Sequence, residues 1–163
     1  LVVVGEREAA EVAGFDLGLR GAFQHKNAAC AAAVLRVLRE RGIAPQLTED
    51  ALRRGLSRAT LPGRFAVSRA PEGVYVVRDV AHNGDAAQVL ADALRETFGA
   101  GKRAVLVCGM SRGHAPLPFL APLAPLVRQV VATAPTFRPD PPDEIAAAAM
   151  QLNLPVRVTN DVA

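Results

Sequence analysis

Three short stretches of this chain set polar or charged side chains where a turn would display them. Asp79-Val80-Ala81-His82-Asn83-Gly84 follows an apolar run and leads toward a helix, so a carboxylate and an imidazole stand beside the N–H donors of a helix start. Such an edge can accept hydrogen bonds from ribose hydroxyls and donate them to phosphate. The plainer alternative is that Asp79 and Asn83 only organise the turn and cap the helix. Leu61-Pro62-Gly63-Arg64 sets a guanidinium after a Pro-Gly turn. Its fork can take a phosphate bidentately, or it can stand solvated in a linker. Gly21-Ala22-Phe23-Gln24-His25-Lys26-Asn27-Ala28-Ala29 enters a helix, and the Asn27 amide is either a plain N-cap or a reader of an adenine edge.

The elements that must hold these groups can be read from periodicity and punctuation. Val2–Val4 reads as a short buried strand. Asn27–Arg41 is Ala-rich with Val34, Leu35 and Leu38 at helical spacing, and Gly42 stops it. Thr48 is a good N-cap for a helix to Gly55, with Glu49 and Asp50 at the positive end of its dipole and Arg53 and Arg54 at the other. Leu61-Pro62-Gly63 then breaks the pattern and is the expected domain boundary, giving regions 1–61 and 62–163.

Beyond it strands and helices alternate. Phe65–Ser68 and Val74–Asp79 flank a Pro71-Glu72-Gly73 turn as an antiparallel hairpin, with Asp79 closing a buried strand. Asp85–Phe98 is an amphipathic helix with Val89, Leu90, Ala93, Leu94 and Phe98 on one face. Ala104–Cys108 is a fully apolar strand, Phe119–Val127 a helix, Val130–Thr133 a strand, Asp143–Leu152 a helix and Val156–Val158 a strand. Asn160 or Asp161 would cap a further helix. This alternation implies an α/β fold, a Rossmann-like and mostly parallel sheet with helices on both faces, lacking the GxGxxG fingerprint. Ligands of such sheets gather beyond the carboxyl ends of the strands, which selects Asp79–Gly84, Gly109–His114 and Ala134–Arg138.

Composition bounds the function. The chain has 163 residues, half of them hydrophobic, enough for one domain and part of another. No apolar run is long enough to suggest a membrane span, and Leu1–Val4 lacks the flank of a signal peptide. A cytoplasmic location is the expectation. A net charge of +3, mostly from Arg, with one Tyr and six Phe, argues against nucleic acid as the partner and suits a phosphorylated small molecule. Cys30 and Cys108 lie in apolar stretches without CxxC spacing and read as buried thiols.

The order and spacing of the three motifs resemble the Mur ligase superfamily, and within it the folylpolyglutamate/dihydrofolate synthases. Members show G-x-[HF]-Q-x-x-N-A-A at the end of the central ATPase domain, a PGR linker, and D-x-A-H-N-P on the first loop of the C-terminal domain. Here these stand at Gly21–Ala29, Pro62-Gly63-Arg64 and Asp79–Gly84, and the strands around Val105–Met110 and Val131–Pro135 also match. The resemblance implies Asn27 on adenine, Arg64 on the phosphates, Asp79 on the ribose and His82 close to the nucleotide. It further implies ATP and Mg2+ as cofactors, L-glutamate and a folate or pteroate as substrates, and a monomer. The implied reaction is amide formation through an acyl phosphate, with a peptidoglycan amino-acid ligase or a non-catalytic nucleotide-binding module as the alternatives.

Several departures qualify the resemblance. Gly84 replaces the usual Pro, and Ser111-Arg112-Gly113-His114 stands where folate-type members carry Asp-Lys-Asp. No GxxxxGK[ST] loop is present in these residues, nor are the family's magnesium ligands or its modified lysine. Both ends read as cut, with the missing parts expected upstream of Leu1. No catalytic residue or metal ligand is therefore assigned, and the chain alone is expected to bind ATP poorly and not to catalyse ligation.

Overall fold

The computed structural model describes residue 12 and residues 14–160. The expected strand at Val2–Val4 and a cap at Asp161 lie outside the described residues. Backbone packing divides the chain into two compact units, one ending at Asp79 and one beginning at Val80.

The first unit contains helices α1 (Phe23–Glu40) and α2 (Glu49–Arg58) and the hairpin strands β1 (Ala66–Arg69) and β2 (Tyr75–Arg78). Helix α1 begins before the expected Asn27, because its buried stripe starts with Gln24 and continues through Ala28, Ala29 and Ala32. Those alanines pack with Val12, Phe15 and Leu52, and Leu17, Leu35 and Leu56 close the cluster. Alanine's small side chain lets helices approach closely, so the apolar face rests on Ala while Val34 on the same helix is exposed. Thr48 caps α2 as expected, its hydroxyl accepting from the Ala51 N–H at 3.1 Å. Arg36 of α1 forks onto Glu49, Nε to Oε1 at 3.1 Å and Nη2 to Oε2 at 3.0 Å, which ties the start of α2 to α1. That pairing holds the Glu49 carboxyl below its ordinary value. Cys30 is exposed on α1, contrary to its reading as a buried thiol, because it falls off the stripe that begins at Gln24.

The hairpin forms as expected, with Val67 opposite Val77. Among the described residues its strands pair only with each other, and β2 is largely exposed, so Asp79 does not close a buried strand of the parallel sheet.

The second unit runs α3 (Gly84–Phe98), β3 (Ala104–Gly109), α4 (Pro116–Leu123), β4 (Val127–Thr133), α5 (Pro142–Gln151) and β5 (Val156–Val158). The three strands are parallel in the order β3-β4-β5, as the α/β pattern implies. The helix expected over Phe119–Val127 starts and stops earlier. Pro116 occupies its first turn, and Pro125 sits in a short 3-10 turn at Ala124–Leu126, which frees Val127 to start β4.

One core cluster unites Ala87 and Ala91 of α3, Phe119, Leu120 and Leu123 of α4, Ile145 and Ala149 of α5, and Cys108, Val130 and Ala132 of the sheet. On α3 the buried face is Ala87, Ala91 and Ala93, with Leu90 and Leu94 against the cluster, whereas Val89 is 38% exposed. Burial pushes the Cys108 thiol up to about 11. Strand β3 alternates, so its other face presents Val105 and Val107, the latter 61% exposed, beside Val131. A fully apolar strand thus has one covered and one open face among the described residues. Two crossovers that step the same way across a parallel sheet place both helices on the same side.

Candidate functional site

Arg64 is presented by a turn built from its neighbours. Pro62 fixes the first corner, Gly63 takes φ 76°, and the Arg64 N–H donates to the Leu61 carbonyl at 3.2 Å, the signature of a type II turn. Phe65 then adopts φ 47°, a conformation uncommon for a bulky residue. Two things hold it there. Its side chain is only 1% exposed, and its N–H donates to Asp79 Oδ2 at 2.7 Å. The guanidinium of Arg64 is exposed, and among the described residues no hydrogen bond or ion pair engages it. Pro62-Gly63-Arg64 is therefore a fixed turn with an exposed cation, and Asp79 is the group that secures it.

Asp79 thus organises a turn, and Asn83 does what the plainer reading of its spacing required. Asn83 is the N-cap of α3, its Oδ1 accepting from the Ala86 N–H at 2.9 Å. Gly84 opens the helix, and a Cβ there would stand 3.2 Å from the Pro118 carbonyl, so its bareness permits α3 and α4 to approach. His82 is exposed between Asp79 and this cap. Its Nδ1 lies 3.0 Å from the Val80 carbonyl. A carbonyl only accepts, so Nδ1 carries the hydrogen, which leaves Nε2 as an acceptor in the neutral ring and a donor in the imidazolium. The ring also meets His114 edge to face, centroids 4.8 Å apart at 63°. Sequence reasoning named both histidines without expecting them to touch. The parallel-sheet rule selected both loops, yet it applies only to the loop of His114 after β3, because the strand before His82 belongs to the separate hairpin.

The loops after β3 and β4 are stitched together at the carboxyl edge of the sheet. Arg112 N–H donates to the Arg138 carbonyl at 2.9 Å, Asp140 N–H to Met110 at 2.9 Å, and the Ser111 hydroxyl to Phe137 at 3.0 Å. Arg112 Nε reaches the Pro139 carbonyl at 3.4 Å, so this arginine is partly engaged in structure. The Thr133 hydroxyl, at the end of β4, is buried without a hydrogen-bond partner among the described residues. Nothing in the chain's local spacing announced it, because a Thr ending a strand is an ordinary occurrence.

Asn27 is not an N-cap. It lies within α1, whose N-cap is Ala22, and its Nδ2 donates to Gln24 Oε1 at 2.9 Å. Asn27 is exposed while Gln24 is only 3% exposed. Gln24 was passed over as a site residue, although its spacing three before Asn27 puts both on one helix edge.

Among the described residues no group of three or more His, Cys, Asp or Glu is gathered that could hold a metal ion. No helix among them is long and apolar enough to cross a membrane.

Comparison with known proteins gives these features a context. Residues 63–163 match the family described as Mur ligase, glutamate ligase domain. A Haloferax volcanii protein named probable bifunctional folylpolyglutamate synthase/dihydropteroate synthase is 38% identical over 87 residues, 53% of this chain and 10% of that protein. The solved Mycobacterium tuberculosis folylpolyglutamate synthase complexed with ADP is 31% identical with a TM-score of 0.72, over 88% of this chain and 31% of its own. The Yersinia pestis bifunctional folylpolyglutamate synthase/dihydrofolate synthase, complexed with AMPPNP and Mn ion, is 28% identical with a TM-score of 0.64, over 92% of this chain and 33% of its own. The chain spans about a third of the length of these solved structures. With the family's glutamate ligase region covering well over half of its residues, and with the parallel α/β unit that region folds into, the chain belongs to the Mur ligase family.

Proposed function

We propose that this chain is part of an ATP-dependent ligase that joins L-glutamate to a folate or dihydropteroate, acting as a cytoplasmic monomer. The likeness to an ADP-bound folylpolyglutamate synthase over most of the chain carries this reading. In it, residues 1–61 end the central ATPase domain and residues 62–163 belong to the C-terminal domain.

The reaction transfers the γ-phosphoryl group of ATP to the acceptor's carboxylate, giving an acyl phosphate and ADP. The glutamate amine then attacks the acyl carbon, phosphate leaves, and the nitrogen loses its proton to give the amide. The chain's own part is positioning and charge neutralisation. Arg64 faces the phosphates with an exposed, turn-mounted guanidinium. Asp79 accepts from the ribose hydroxyls. Asn27 contacts the adenine, and His82 lies near the nucleotide. Mg2+ is assigned to other residues of the longer ligase, and no step is drawn through it.

The test is product formation by the full-length enzyme, with ATP, L-glutamate and either dihydropteroate or a reduced folate. Glutamylated product with stoichiometric ADP release supports the proposal. Turnover only with UDP-linked muramoyl acceptors would move the chain to the peptidoglycan ligases, and no turnover with ATP would contradict a ligase altogether.

A further inference from the structure

Helix α1 carries a polar residue where its packing asks for an apolar one. The buried stripe reads Gln24, Ala28, Ala29, Ala32, and Gln24 is only 3% exposed. A buried amide is unfavourable unless its polar atoms are hydrogen-bonded, and a Leu or Met would fill the same space without that requirement. What Gln24 does with its Oε1 is accept from Asn27 Nδ2 at 2.9 Å.

We infer that Gln24 is a positioning residue that fixes which way round the Asn27 amide faces and thereby sets base specificity for adenine over guanine. This rests on the reading that Asn27 contacts the base. A free Asn amide can rotate to exchange its oxygen and nitrogen. With one N–H held by Gln24 Oε1, Asn27 keeps Oδ1 and its second N–H for a ligand, an acceptor and a donor. That pair complements adenine, whose N6 amino group donates and whose N7 accepts. Guanine offers O6 and N7, both acceptors, so Oδ1 would meet an acceptor and the pairing fails. The reverse arrangement, with Gln24 Nε2 donating to Asn27 Oδ1, would turn both Asn27 N–H groups outward and surrender the discrimination. In the observed sense of the pair Gln24 gives an otherwise symmetric-shaped amide one orientation, and a side chain that can only accept at this position isolates that sense.

The experiment measures kcat/KM for ATP and for GTP in the full-length enzyme at pH 8, for the wild type, Asn27→Ala, Gln24→Met and Gln24→Glu. The readout is the ATP/GTP ratio, which a general loss of folded enzyme leaves unchanged because it lowers both values together. Asn27→Ala is expected to lower the ratio by roughly tenfold or more. Gln24→Met, of similar size but with only a weakly accepting thioether in place of the amide oxygen, is expected to lower it by roughly fivefold or more, mostly through the KM for ATP. Gln24→Glu keeps the acceptor and forbids the reverse arrangement, so it should retain the wild-type ratio. If Asn27→Ala lowers the ratio and Gln24→Met does not, the positioning role is overturned while the base contact stands. If Asn27→Ala leaves the ratio unchanged, the base contact itself is wrong and the inference falls with it.

Discussion

The Asp79 carboxylate accepts a 2.7 Å hydrogen bond from the backbone N–H of Phe65, the residue that follows Arg64. The link changes what a mutation at Asp79 means. Asp79→Ala removes the acceptor from a part-buried N–H and should cost roughly 1–3 kcal/mol of stability, beyond any effect on nucleotide. Asp79→Asn keeps a neutral acceptor and should recover most of the stability in thermal melts. A ligand role shows as an ATP KM that stays raised in Asp79→Asn after stability has been restored.

Phe65 is the apolar half of the same device. Its side chain is buried and its backbone is held at positive φ. Truncation in Phe65→Ala should destabilise by about 3–5 kcal/mol, measured by urea unfolding. A loss below about 1 kcal/mol would mean that the turn presenting Arg64 is not anchored as described.

The Asn83 cap gives a milder test. Asn83→Ala leaves the Ala86 N–H without its 2.9 Å partner and should cost about 1 kcal/mol, whereas Asn83→Asp should be close to neutral. Equal stability of wild type and Asn83→Ala would assign Asn83 to something other than capping.

Acid should weaken the first unit through Glu49. Its pKa is lowered, first by the Arg36 hydrogen bond, and the desolvation that opposes this is smaller. A depressed folded value means that the contribution is complete above the unfolded value of 4.5 and is lost as pH falls through the lower folded value. Glu49→Gln should remove this slope: the variant loses a small contribution at neutral pH, small because the pair is substantially exposed, and matches the wild type once the pH is below the folded value.

The two thiols should separate kinetically. Cys30 is exposed, and the Cys108 thiol is buried with its pKa raised to about 11. At pH 8 a disulfide reagent should label one thiol quickly and the second only upon unfolding. Two fast thiols would contradict the packing of β3 against the helices.

Much of the second unit was legible because its signals are local. Asn83 caps a helix, Ala104–Cys108 is a strand, and Val156–Val158 is found where expected. The misreadings share a cause. Phe119–Val127 looks periodic, yet Pro125 lets the backbone leave the helix before Val127, a local geometric veto that hydrophobic spacing does not register. Val89 and Val34 lie on the exposed sides of helices whose buried faces are lined by alanine, which a search for large apolar residues overlooks. At the candidate site the residue types were legible and their partners were not. Phe65 with Asp79, Gln24 with Asn27 and His82 with His114 are pairings that exist only after the backbone has turned.

The central claim is that Arg64 holds ATP phosphate, and it is tested most directly by the ATP dependence of the full-length enzyme carrying Arg64→Ala. Arg64 is exposed and unengaged among the described residues, so the substitution should leave the melting temperature nearly unchanged. Loss of a charge-assisted phosphate contact should raise the KM for ATP by roughly tenfold or more, with Arg64→Lys recovering part of it. Wild-type ATP kinetics in a folded Arg64→Ala enzyme would contradict the claim.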